Sequence, residues 1–172
     1  MLNQNSQKNL SPFQILNQFF DSLIEIRDKT NIHVEITDLI VPKVGDSLEH
    51  ARKLSKFVLD EFGPEMPIHF LRFHPDYKML DYESTPIKTL ENHYRVARDV
   101  GLKYVYLGNV PGHPWEHTYC SECKKIVVKR YGFDIQDWFL DKNNNCQFCG
   151  NSIPIIGSLE KKYRQKRFQF IH

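Results

Sequence analysis

Residues 67–108, PIHFLRFHPDYKMLDYESTPIKTLENHYRVARDVGLKYVYLG, hold one strand–helix–strand unit. Pro67 to Phe73 is a short apolar run that reads as a strand. A loop with His74, Pro75, Asp76 and Tyr77 follows. Thr85-Pro86 reads as a helix start, since proline suits a first turn whose N–H groups have no intrahelical partner. Ile87, Leu90, Tyr94, Ala97 and Val100 then recur at helical spacing, and Gly101 ends the helix. Leu102 to Leu107 is a second strand, closed by Gly108-Asn109. Two strands joined through a helix point to a parallel pair.

Upstream the pattern repeats. Ser11-Pro12-Phe13-Gln14 carries capping signals, and Phe13, Leu16, Phe20 and Leu23 give one apolar face to a helix ending near Asp28. Ile32 to Val41 is β-branched and partly alternating, so a strand is expected there. Asp46 and Glu49 have the spacing of a capping box. Leu48, Ala51, Leu54, Val58 and Phe62 continue that helix to Gly63-Pro64. The expected fold class is therefore α/β, with about three parallel βα units over residues 11–113. A closed (β/α)8 barrel takes roughly 200 residues or more, and fewer than 120 precede Cys120. Three parallel strands leave two open edges, which proteins usually cover or pair. The reading is an incomplete barrel portion whose missing strands come from a partner polypeptide or from a longer chain.

Cys120-Ser-Glu-Cys123 and Cys146-Gln-Phe-Cys149 form two tight pairs with 22 residues between them. Zinc ribbons usually space their pairs by ~15–20 residues, so this loop is slightly long. Two residues between thiolates let one knuckle turn both sulfurs onto one ion, and Gly150 suits the left-handed turn after such a pair. Ile126 to Val128 and Ile135 to Leu140 read as strands between the pairs. A ribbon over residues 114–156 holding one structural zinc on Cys120, Cys123, Cys146 and Cys149 is expected. Iron in the same four-thiolate site, or iron–sulfur ligation, is not separated from zinc by spacing. His113 and His117 stand just before the first cysteine pair as spare ligands.

Composition limits the function classes. Formal net charge is +2, from 23 basic and 21 acidic residues, which gives no global pull toward nucleic acid. No apolar run reaches the ~20 residues of a membrane span, and the polar residues 1–10 read as a tail without a secretory signal. A reducing, cytoplasmic setting follows, with paired cysteines on metal. The tail over 157–172 mixes Lys161, Lys162, Arg164, Lys166 and Arg167 with aromatic residues. Such a segment can bind nucleic acid but is more often solvated charge.

In a parallel α/β sheet chemistry gathers at the carboxyl ends of the strands. That places His74, with Asp76 beside it, and Asn109 at the candidate site. His69 is expected to line the interior. Glu35 and Asp38 fall within the first strand, and Arg72 is the expected partner of Glu35.

Four segments resemble one family. They are VEITDLIVPKVGDS (34–47), GPEMPIHFLRFHPDYKMLDYESTP (63–86), GLKYVYLGNVPGH (101–113), and YCSECKKIVVKRYGF (119–133) with CQFCGNSIP (146–154). They resemble the C-terminal part of the radical S-adenosylmethionine enzyme of the AmmeMemoRadiSam system, similar to pyruvate formate-lyase activating enzyme. The resemblance implies a partial barrel with a zinc-ribbon-like tail, and Memo-like and AMMECR-like protein partners. It implies cofactor-side positions for His74 and Glu35, with S-adenosylmethionine and a 4Fe-4S cluster bound only once a front half is present. The family's Cys-x3-Cys-x2-Cys motif is absent, no cysteine precedes residue 120, and the family's Asn-Asp is here Gly45-Asp46. The chain is thus expected to be non-catalytic alone. The alternative is a zinc-ribbon module that binds nucleic acid or protein.

Overall fold

The structure, a computed structural model, describes residues 12–160, with side chains from residue 18 onward. The Ser11 cap, the 1–10 tail and the basic residues beyond 160 lie outside the described residues. The chain divides into two compact units, Met1–His33 and Val34–His172. The first contains helix α1 (Pro12–Lys29), whose last turn is closed by Thr30 donating its N–H and hydroxyl to the Ile26 carbonyl.

The second unit begins with β1 (Ile36–Ile40), α2 (Leu48–Phe62), β2 (Ile68–Arg72), α3 (Ile87–Val100) and β3 (Val105–Gly108). The three strands form one parallel sheet in the order β1-β2-β3, with Ile36 level with Ile68 and Ile68 with Val105. Strand alternation sends Ile36, Ile40, Ile68, Phe70, Val105 and Leu107 to one buried face. Helix α3 covers that face and packs on α2, with His93 edge-on to Phe70 at 5.5 Å. Phe70 is wholly buried, so truncating it to Ala costs about 3–5 kcal/mol.

The opposite face is partly bare. It carries Thr37, Leu39, His69, Leu71 and Tyr106, and Leu39 is 48% exposed. Gly108 belongs to this face because a Cβ there would collide with the Leu71 side chain. Beyond their pairing with β2, the outer edges of β1 and β3 make no backbone ladder among the described residues.

Several strand and helix ends differ from the sequence reading. β1 starts at Ile36 rather than Ile32, and β3 at Val105 rather than Leu102. The Leu102 N–H is drawn instead to the Ala97 carbonyl at the end of α3, and the Lys103 N–H to the Pro64 carbonyl. The Asp46/Glu49 capping box does not form. Ser47 is the N-cap, without a side-chain bond, and Glu49 pairs with Lys53 at 2.7 Å. Thr85 is not the N-cap of α3; Pro86 is. Thr85 is fully buried, and its hydroxyl accepts the Phe73 N–H at 3.0 Å and donates to the Ile40 carbonyl. The hydroxyl stands where the next β1–β2 rung would fall, so it both extends the sheet and ties it to the start of α3.

The ribbon follows as β4 (Thr118–Tyr119), β5 (Ile126–Tyr131) and β6 (Asp134–Trp138), an antiparallel sheet in that order. Its core is Cys120, Val127, Val128, Leu140, Cys146 and Ile153, and Tyr104 from the approach to β3 joins it. Buried Glu116 locks the entry turn by accepting the Gly112 N–H at 2.7 Å and the Gly132 N–H at 3.0 Å.

Candidate metal centre and strand-end rim

The two knuckles are built alike. Cys120 donates its N–H to the Lys125 carbonyl, and its own carbonyl accepts the Lys124 N–H. Cys146 donates to the Asn151 carbonyl and accepts from Gly150. The residue after each second cysteine is left-handed, Lys124 at φ 61° and Gly150 at φ 78°. Glycine takes that conformation without strain, whereas Lys124 is held in it by the turn.

This repetition brings all four sulfurs within 4.8 Å of one another. Cys120 Sγ lies 3.6 Å from Cys149 Sγ, and Cys123 Sγ 3.7 Å from Cys146 Sγ. A tetrahedron with metal–sulfur bonds of ~2.3 Å has edges of about 3.8 Å, so the spacing fits a single ion. A four-iron cluster holds its cysteines on separate irons and spreads them farther apart. None of the four is in a disulfide. Burial opposes ionisation of Cys120, but the N–H groups of Cys123 and Glu122 and the neighbouring thiols outweigh it, lowering this thiol to about 7. Cys149, on the exposed side, receives an N–H from Asn151, yet desolvation and the other three thiols hold it up at about 11. One sulfur thus ionises readily and the last resists, so a metal cation is what makes four thiolates stable together. The described residues form a group that can hold a metal ion.

Neither His113 nor His117 joins it. His113 Nδ1 accepts the Trp115 N–H, and His117 Nδ1 accepts the Arg130 N–H. Both are structural acceptors in the lead-in to the ribbon.

The carboxyl ends of the strands form a second feature. Each strand is followed by a non-glycine residue in the left-handed region: Lys43 at φ 66°, Tyr77 at φ 50° and Asn109 at φ 61°. Such conformations cost roughly 1–3 kcal/mol for a bulky residue and recur at binding rims. Asn109 Nδ2 donates to the Arg72 carbonyl at 3.1 Å, tying the end of β3 to that of β2. His74 is exposed beside it in chain order, and Asp76 accepts the Tyr77 N–H at 2.7 Å. In the segments that follow β1 and β2, Val44, Leu48, Tyr77, Leu80 and Ile87 are exposed apolar or aromatic side chains.

Glu35 does not share this rim. It precedes β1, at the amino end of the sheet, about 20 Å of strand rise from His74. Its partner is His69, at 3.0 Å, not Arg72, whose Nε donates to the Thr85 carbonyl. His69 stacks on Tyr106 at 4.8 Å, and Arg130 lies over the other end of that contact, 5.7 Å from the Tyr106 centroid. Arg130 also donates to Thr118 Oγ1, so this polar run fastens the ribbon to the open face of the sheet. Residue order hides this contact, because Tyr106 and Arg130 are separated by the whole lead-in to the ribbon. Asp38 points to the helix-covered face, where burial raises its pKa against the pull of His93 and His50.

No family model matches the chain. It is 46% identical over 133 residues to an uncharacterized protein of Methanocaldococcus jannaschii. The match takes in 77% of this chain but 40% of that protein, so the chain spans less than half the length of the curated relative it matches. No helix among the described residues is long and apolar enough to cross a membrane.

Proposed function

We propose that residues 34–113 are the rear arc of a larger parallel (β/α) barrel of the radical S-adenosylmethionine type, with a structural zinc ribbon as its tail. The observation that carries the reading is the half-dressed sheet. Helix α3, with α2 packed on it, covers one face, as on the outside of a barrel, while the ribbon covers only the Tyr106 end of the other face and leaves Thr37 and Leu39 exposed. Among the described residues neither outer strand edge is paired. The missing strands come from more of the same polypeptide or from a second chain. The longer archaeal relative supports a larger whole. The rim of His74 and Asn109 is then the cofactor side of the arc, and the Glu35–His69 pair lies at the barrel's other end.

The spacing of the four cysteines supports a single ion, read here as zinc, rather than a 4Fe-4S cluster, and the sequence given contains no further cysteine. No step of radical chemistry is therefore assigned to this chain, which acts as the completing part of an enzyme. Memo-like and AMMECR-like proteins are the partners that the sequence resemblance suggests. Given S-adenosylmethionine and a low-potential reductant, the purified chain alone is expected to produce no 5′-deoxyadenosine. Turnover by the chain alone overturns the reading. Binding to single-stranded nucleic acid that weakens steeply with salt favours a ribbon adaptor instead.

A further inference from the structure

The two knuckles carry corresponding residues two places after their second cysteine, Lys125 and Asn151. The backbone carbonyl of each closes its own turn: Lys125 accepts the Cys120 N–H at 2.9 Å, and Asn151 the Cys146 N–H at 2.8 Å. Both side chains cross to the other knuckle, but they meet different groups there. Lys125 Nζ stands 4.6 Å from the ring centroid of Phe148, the residue before Cys149. Asn151 Nδ2 reaches Ser121 Oγ at 3.1 Å and Cys120 Sγ at 3.8 Å.

The Asn151 amide has one workable orientation. Its Nδ2 also donates to the Ser152 carbonyl at 3.1 Å. A thiolate and a carbonyl only accept, so turning the amide over would set Oδ1 against two acceptors. The backbone N–H of the same residue meets Cys149. Asn151 therefore donates to one sulfur of each knuckle, and those two sulfurs lie 3.6 Å apart.

Four thiolates around a dication leave excess negative charge on the sulfurs. A donor aimed at a sulfur disperses that charge, and a donor held by the fold also fixes where the sulfur sits. Cys120 already receives the backbone N–H groups of Cys123 and Glu122 from its own knuckle. Asn151 adds a donor from the opposite knuckle, which no contact inside the first one can supply.

We infer that Asn151 is a positioning residue of the metal centre: its backbone N–H and side-chain amide hold Cys149 and Cys120 side by side, so that both knuckles close on one divalent cation. The inference rests on the single-ion reading of the four cysteines and not on the barrel. The test uses the full chain. Zinc affinity is measured by competition with a chromophoric chelator, and cobalt(II) is loaded to read the thiolate charge-transfer and d–d bands. Asn151→Asp keeps the shape but replaces the donor by a negative acceptor. It is expected to weaken zinc about 10–100-fold, as removal of outer partners of metal ligands does, and to shift the cobalt charge-transfer band. Asn151→Ala removes the donor without adding charge and is expected to weaken zinc less than Asp. If the Asp variant does not fold with metal, Ala decides alone: weaker zinc with a shifted band supports the inference, and wild-type affinity overturns it. Lys125→Ala removes a tie that touches a ring and no sulfur, and should cost at least fivefold less affinity than Asn151→Asp. An equal loss would mean that fastening the knuckles, not a donor on sulfur, sets affinity, and overturns the inference. Wild-type affinity in Asn151→Asp, or weaker binding with an unchanged cobalt spectrum, overturns it and leaves the single-ion reading intact. A wild-type chain that takes up no divalent cation overturns both.

Discussion

Replacing Thr85 by Val is expected to loosen the carboxyl end of the sheet. The side chain is almost isosteric, so packing is kept and only the hydroxyl is lost. Two backbone groups lose their partner together: the Phe73 N–H, now 3.0 Å from Thr85 Oγ1, and the Ile40 carbonyl. Thr85 has no exposed surface, so water does not replace the hydroxyl. The added methyl also holds β1 and β2 apart, which prevents the missing rung from forming directly. A buried orphan donor or acceptor costs about 1–3 kcal/mol, and the carbonyl is the cheaper of the two. The sum is about 2–4 kcal/mol, a large share of the ~5–15 kcal/mol typical of a domain. At ~2–4 °C per kcal/mol for a chain of this size, Tm should fall by roughly 5–15 °C. Thr85→Ser keeps the hydroxyl and loses one methyl, for about 1 kcal/mol. Urea unfolding of the metal-loaded chain, followed by circular dichroism, gives both values. If Ser costs as much as Val, the hydroxyl relay is not what holds this end of the sheet.

Two further outcomes follow from buried polar groups in the ribbon lead-in. Desolvation lowers the His117 pKa below its ordinary 6.5, despite the opposing pull of Glu116. The unfolded chain therefore binds the extra proton first, and stability should fall as pH drops below about 6.5. His117→Asn offers an amide oxygen to the same Arg130 N–H and should flatten that part of the pH–stability curve; an unchanged slope would mean that His117 does not contribute. Glu116→Ala strips the acceptor from the Gly112 and Gly132 N–H groups and should cost about 2–4 kcal/mol in chemical unfolding. A loss below ~0.5 kcal/mol would show that water serves those groups equally well.

Much of this architecture was legible from residue order because the signals were local. Helical spacing and Gly/Pro stops gave α2 and α3, and the Cys-x2-Cys pairs gave the knuckles, down to the left-handed Gly150. What the sequence could not disclose depends on pairing across the sheet. Glu35 was expected to meet Arg72, but parallel register sets Thr37 beside His69 and carries Arg72 to the far end, next to Thr85. The left-handed Lys124 was missed because lysine, unlike glycine, gives no hint of that conformation. Strand β4 was missed for another reason: two residues are too few to show alternation, and only the bond to β5 defines them. His74 and Asn109 do share the carboxyl end of the sheet, as strand order alone requires, whereas Glu35 was drawn to that site by resemblance and lies at the opposite end.

Most depends on the four cysteines of the ribbon forming a single-ion centre. Metal analysis and ultraviolet–visible absorption on anaerobically purified protein address this directly. One zinc per chain with no visible band is the result expected. Stoichiometric iron with a visible charge-transfer band, or a ribbon that stays folded with no metal at all, would contradict it.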